Sequence, residues 1–255
     1  MQKVSIVIPA HNEERRIGAT LIAYSKFFNN KLSTFYDFEI IVVLNACKDN
    51  TLKIVRENKS SNVRILNFVR GGKGFAVIEG FKESLRRGAD IVGFVDADMA
   101  TPPEAFYQLV SKIRGYDGVI ASRYLRGARL VPAPSIGKIF GSRIFNFLLR
   151  TLFFIPYRDT QCGAKIFTKR CLLKIMPFLS MSQWAFDVEM LYVAHRENMK
   201  ILELATSWSE KEFSKIDYLR TGIGMALGIT RLRIINSPFK KVIKIYERVF
   251  LHKNL

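Results

Sequence analysis

Five short apolar runs, each separated from the next by a longer amphipathic stretch, limit what this chain can fold into more than any other feature. Val4–Ile8, Glu39–Val43, Val63–Phe68, Ile91–Val95 and Gly118–Ala121 have the length and β-branched content of buried strands. The intervening segments 12–29, 49–60, 73–87 and 102–113 are predicted helices, with Asp49, Thr101 and the glycines at 71, 72 and 74 where helices begin. This alternation predicts an α/β architecture, an open and mostly parallel sheet with helices on both faces. Ligands of such sheets bind beyond the carboxyl ends of the strands. The residues just after each strand are therefore the ones to search, and here they are polar.

Asp96-Ala97-Asp98 follows the run ending at Val95. In extended chain, residues two apart point to the same side, so both carboxylates can address one hard divalent cation together with diphosphate oxygens. The same triplet also serves as an ordinary strand-end turn or helix cap. Pro9-Ala10-His11-Asn12-Glu13-Glu14 and Leu44-Asn45-Ala46-Cys47-Lys48-Asp49 occupy the equivalent places after the first two strands, where nucleotide contact and helix capping are both open. Gly71-Gly72-Lys73-Gly74-Phe75-Ala76-Val77 has Val77 at the third glycine position of a dinucleotide fingerprint and lacks the pattern of a P-loop. It reads as a helix-entry loop whose Lys73 approaches a phosphate. Two further polar islands, Asp159–Lys165 and Trp184–Glu189, lie in apolar surroundings, where buried ion pairs are the simplest reading.

Charge points to the partners. With 40 Lys and Arg against 22 Asp and Glu, the net charge is +18, which suits an anionic membrane face, phosphorylated substrates or nucleic acid. No nucleic-acid-binding motif accompanies it, so no nucleic-acid partner is expected. Three scattered cysteines form neither a disulfide framework nor a zinc site and suit a reducing compartment. No window offers about 20 uninterrupted apolar residues, so membrane contact is expected at the surface, on the cytoplasmic face.

Taken in order, these islands resemble the family 2 glycosyltransferases of the GT-A (Rossmann-like) fold. Val-Ser-Ile-Val-Ile-Pro-Ala-His-Asn-Glu-Glu is followed by Gly-Gly-Lys-Gly-Phe-Ala-Val, Asp-Ala-Asp-Met-Ala-Thr-Pro-Pro-Glu, Ala121-Ser122-Arg123-Tyr124, and then the Asp159 and Trp184 segments. The resemblance runs from about residue 4 to 235 and is greatest to dolichyl-phosphate glucosyl- and mannosyltransferases, with the last two segments of the glucosyl type. It implies that Pro9, Ala10 and Glu13 line the base and ribose. Asp96 and Asp98, with Ala97 between them, would hold Mg²⁺ or Mn²⁺ and the diphosphate. Arg123 would meet the acceptor phosphate, helped by Arg126 and Arg129, with Asp159 close to the reaction centre.

Two departures matter. Ala100 stands where some relatives carry a third metal ligand, Gln. Leu44-Asn45-Ala46-Cys47 replaces the usual Asp-Asp-Gly-Ser. An amide at Asn45 suits the donor-acceptor edge of uracil better than the paired donors of guanine. A UDP-sugar, glucose favoured, is therefore the expected donor, and a polyprenyl or dolichyl phosphate the expected acceptor. The alternatives are GDP-mannose as donor, or a sugar hydroxyl as acceptor with Asp159 or Asp187 as base. Residues 1–215 are expected to form the catalytic domain, with a membrane-facing amphipathic segment within 126–156. Basic amphipathic helices are expected over 216–255.

Overall fold

A computed structural model describes residues 1–30, 36–132, 136–180, 185–209 and 228–234. The five expected strands are present as β1 (Gln2–Ala10), β2 (Tyr36–Asn45), β3 (Val63–Phe68), β4 (Ile91–Val95) and β5 (Gly118–Ser122). The four expected helices are α1 (Ile17–Asn30), α2 (Thr51–Glu57), α3 (Lys73–Arg86) and α4 (Pro103–Ser111). Helix α1 begins five residues later than periodicity places it, because Asn12 adopts a left-handed φ of 54° and a turn on the Glu13 carbonyl intervenes. Helix α3 starts where expected. Its preceding residue, Gly72, has φ 125°, a conformation that glycine adopts without a steric penalty.

The second half adds a two-residue strand β6 (Arg129–Leu130), helix α5 (Ile136–Phe153), strand β7 (Ala164–Thr168) and helix α6 (Lys169–Ile175). Helix α7 (Phe186–Arg196) and strands β8 (Ile201–Ala205) and β9 (Ser207–Trp208) follow. Seven strands form one sheet in the order β3-β2-β1-β4-β7-β5-β8, while β6 and β9 pair separately. All pairings in the large sheet are parallel except those of β7, which runs antiparallel between β4 and β5. The chain turns from one side of β1 to the other between β3 and β4. That reversal makes the carboxyl ends of β1 and β4 the switch point of the sheet.

Alternation along each strand divides the core into two layers. Val7, Ile41, Val43 and Phe94 pack under α3, α6 and α7, whereas Ile6, Ile8, Ile40 and Val42 pack under α1, α2 and α4. Gly93 lies at a close approach within the second layer. A Cβ there would come within 2.4 Å of Ile166, 2.7 Å of the Lys165 carbonyl and 2.8 Å of Phe106. Among the described residues, no helix is long and apolar enough to cross a membrane.

Gly93→Ala is expected to destabilise the protein by about 1–3 kcal/mol through overpacking, because backbone as well as side chains must move. Urea unfolding followed by circular dichroism measures this, and an unchanged midpoint would show that the layer has slack.

Candidate functional site

The carboxyl ends of β1, β2, β3 and β4 open on one side of the sheet, and β7 brings its amino end there because it runs backwards: Val95 pairs with Ala164. Three non-glycine residues with left-handed φ, Asn12, Ala46 and Met99, follow β1, β2 and β4 at this mouth. Strained backbone of this sort concentrates where side chains must be aimed at a ligand.

Asp96 is the centre of the mouth. One oxygen receives the Lys73 ammonium at 2.8 Å, and the other packs on Gly163, where a Cβ would lie 1.9 Å away. Lys73 also reaches Asp187 at 3.3 Å, and Asp187 binds the fully buried Lys165 at 2.6 Å. Both lysines approach the ring of Phe94, at 5.5 and 5.2 Å. Burial raises the Asp96 carboxyl above its ordinary pKa even against the pull of Lys73. Burial also works against ionisation of Asp187, but Lys165 and Lys73 outweigh it and hold that carboxyl below the usual range.

Asp98 lies beyond the strand end. Its Oδ1 accepts the backbone N–H of Ala100 at 2.9 Å, and its Oδ2 is 3.9 Å from Arg16. Arg16 forms a two-point pair with Glu13, both contacts at 2.7 Å. Glu13 therefore presents its carboxylate to Arg16, an arginine just outside the Pro9–Glu14 segment that sequence reasoning singled out. Ala97 is buried, and its carbonyl accepts from Thr20. Asp96 and Asp98 are hard oxygen donors that remain partly exposed, which fits a divalent cation completed by phosphate oxygens. Among the described residues, no group of three or more His, Cys, Asp or Glu side chains converges to hold a metal.

The structure corrects the reading of Asn45. Its side chain is 2% exposed, donates to the Ala10 carbonyl at 2.9 Å and accepts from the Gly72 N–H at 3.0 Å. It ties together the ends of β1 and β2 and the entry to α3, and it presents no amide edge for a base. Pro9 and Ala10 are likewise buried beneath the mouth.

Asp159, expected close to the reaction centre, is engaged by Arg123. It is fully buried and accepts from the Arg123 backbone N–H at 2.9 Å, from Nε at 2.8 Å and from a terminal guanidinium nitrogen at 2.9 Å. Its role is to fix Arg123, so it is no free base. Asp187, the other base considered, is spent between two lysines. Arg123 also lies 5.4 Å from the rings of both Tyr124 and Trp208. Trp208 in turn helps line a cavity of about 700 Å³ with Phe27, Met99, Pro102 and Val131. Arg126, on the loop after β5, and Arg129, in β6, are exposed. Trp184 lies outside the described residues.

A family model described as glycosyl transferase family 2 matches residues 5–175, about two thirds of the chain. The chain belongs to glycosyltransferase family 2. It is 35% identical over 243 residues to a dolichyl-phosphate β-glucosyltransferase of Dictyostelium discoideum, covering 90% of this chain and 73% of that protein. The Saccharomyces cerevisiae protein of the same name is 34% identical, with 91% and 74% covered. Among solved structures, glucosyl-3-phosphoglycerate synthase from Mycobacterium tuberculosis, in complex with Mn²⁺, UDP and its product, superposes with a TM-score of 0.66. That match has 18% identity and covers 91% of this chain and 79% of that one. It establishes a shared glycosyltransferase fold.

Because the atom facing Gly163 is the tip of a side chain, Gly163→Ala is expected to shift Tm by less than about 4 °C. It should nevertheless turn the Asp96 carboxylate away and weaken Mn²⁺ binding, read by electron paramagnetic resonance, about tenfold or more. Unchanged Mn²⁺ binding would show that Asp96 is not a ligand.

Proposed function

We propose that this family 2 glycosyltransferase moves glucose, with inversion, from UDP-glucose to a dolichyl or related polyprenyl phosphate at a membrane surface, using Mg²⁺ or Mn²⁺. One observation carries the reading: two strand-end carboxylates and a lysine face the same mouth as an arginine locked in place by a buried aspartate, and neither candidate base is free. An acceptor that supplies its own negative oxygen fits such a site. The names of the relatives support the lipid phosphate. UDP-glucose and Mn²⁺ in complexes of the mycobacterial neighbour support the donor and the metal. With Asn45 buried, the preference for uridine rests on those likenesses and not on a base contact.

A lipid monophosphate, with a second pKa of about 6, is largely a dianion at neutral pH and needs no general base. One of its oxygens attacks the anomeric carbon while the bond from that carbon to the diphosphate breaks, and the electron pair leaves with UDP. Asp96 and Asp98 would hold the divalent ion, which supplies charge neutralisation at the leaving diphosphate. Lys73 adds a cation on the same side. Arg123, with one edge of its fork on Asp159, offers the rest of its donors to the incoming phosphate and offsets repulsion between the two anionic groups. The apolar cavity beside Trp208 has room for the first isoprene units.

The surface of α5 supports membrane contact. Leu149 and Phe153 are buried in the core, whereas Phe140, Phe147, Leu148 and Phe154 are 57–77% exposed, alongside exposed Arg143 and Arg150. An apolar stripe flanked by arginines is suited to the headgroup region of an anionic bilayer on the cytoplasmic face. The basic helices expected over 216–255 lie outside the described residues except for 228–234. That segment is helical and buries Ile229 and Leu232 in the core.

Labelled UDP-glucose, UDP-GlcNAc and GDP-mannose, each offered with dolichyl phosphate, test the donor. Labelled lipid is expected from UDP-glucose, and Asp98→Ala should lower its rate about 10²–10³-fold. Product from GDP-mannose alone would replace the reading with a mannosyltransferase. The double variant Phe147→Glu, Leu148→Glu is expected to lose flotation with anionic vesicles about tenfold or more, because each side chain contributes up to about 2–3 kcal/mol on burial. Undiminished flotation would remove α5 from the membrane contact.

A further inference from the structure

Lys73 is placed to do more than touch a phosphate. It sits between two carboxylates, 2.8 Å from Asp96 and 3.3 Å from Asp187, and over the Phe94 ring. Asp187 is itself fixed by Lys165, which is fully buried and donates also to the Cys162 carbonyl at 2.8 Å. The Lys73 ammonium thus has one partner that is immobile, Asp187, and one at the open mouth, Asp96.

We propose that Lys73 is a built-in counter-ion of Asp96 that a divalent cation displaces, and that Asp187 holds the released ammonium where it receives the donor's diphosphate. The inference rests on the transferase reading of the site. It adds that Lys73 opposes metal binding and favours nucleotide binding, and that Asp187 and Lys165 are positioning residues.

The charges at the mouth favour a rearrangement of this kind. Asp96, Asp98, Asp187 and Glu13 face Lys73, Lys165 and Arg16, leaving one net negative charge. A divalent cation converts that to one net positive charge and sets two like-signed centres against the same carboxylate. A diphosphate relieves the excess, and it arrives on the side from which Lys73 has been displaced. Lysine suits the role better than arginine, since a point charge on a flexible four-carbon stem can exchange one oxygen for another. Its other neighbours stay in place during the exchange: Asp187 is buried, and Phe94 belongs to β4.

The test separates metal from nucleotide. Lys73→Met keeps most of the length of the side chain and removes its charge. Mn²⁺ binding without nucleotide, read by electron paramagnetic resonance, is expected to tighten about tenfold, the scale of one opposing charge at a partly exposed site. UDP binding at saturating Mn²⁺, read by calorimetry, is expected to weaken by about the same factor, and Lys73→Arg should restore much of it. A general loss of structure would weaken both, so tightening in one and weakening in the other is the signature. Mn²⁺ affinity that is unchanged or lower in Lys73→Met, while the wild type binds Mn²⁺ and UDP, would overturn the inference and leave the transferase intact. A wild type that binds neither would overturn both.

Discussion

The Asp96 carboxylate must be negative, partly withdrawn from water and still reachable by a ligand, and the arrangement around β4 answers those three demands together. A unit charge 4 Å away contributes about 4 kcal/mol at an effective dielectric near 20. Partial exposure reduces that figure, and ordering a lysine costs about 2 kcal/mol of rotamer entropy. A single surface pair would therefore be marginal. The second carboxylate, Asp187, changes the balance, because it is buried and already held by Lys165. The reversed direction of β7 makes this possible: it delivers Gly163 against one oxygen of Asp96 and Lys165 beneath Asp187, from a segment 67 residues further along the chain.

The same reversal explains what could be read from residues alone and what could not. The strands β1 to β5 and helices α1 to α4 follow from apolar runs and helix-entry residues, and their ends place Asp96, Asp98 and Lys73 at one mouth. Strand β7 contains a fully buried lysine and β8 a glutamate, so neither shows a clean strand pattern. Without them the sheet order is hidden, and so is the pairing of Lys165 with Asp187. Asn45 misled for a related reason. Residue chemistry indicates what an amide can bind, but only the register of β1, β2 and the α3 entry shows that the Ala10 carbonyl and the Gly72 N–H engage it first. The approach of Arg16 to Asp98 and the two-point Arg123–Asp159 pair likewise appear only once chain segments are juxtaposed.

The Arg123–Asp159 pair is joined to α5 through short polar ties. Tyr124, next to Arg123, donates to Ser142 on α5, and buried Asn146 on the same helix accepts from the N–H and hydroxyl of Thr160, next to Asp159. The helix that presents Phe147 and Leu148 outward therefore holds on its inner side the two residues flanking the arginine–aspartate pair. A lipid phosphate approaching along the bilayer surface would meet Arg123 already oriented.

The most direct measurement offers dolichyl phosphate and dolichol side by side to the wild-type protein with UDP-glucose and Mn²⁺, and follows labelled lipid by chromatography. Glucose on the phosphate and none on the alcohol is the predicted result, since the mouth supplies cations for an anion and both candidate bases, Asp159 and Asp187, are engaged. Transfer to dolichol at a comparable rate would contradict the account, because a hydroxyl acceptor needs a base and neither Asp159 nor Asp187 is available as one.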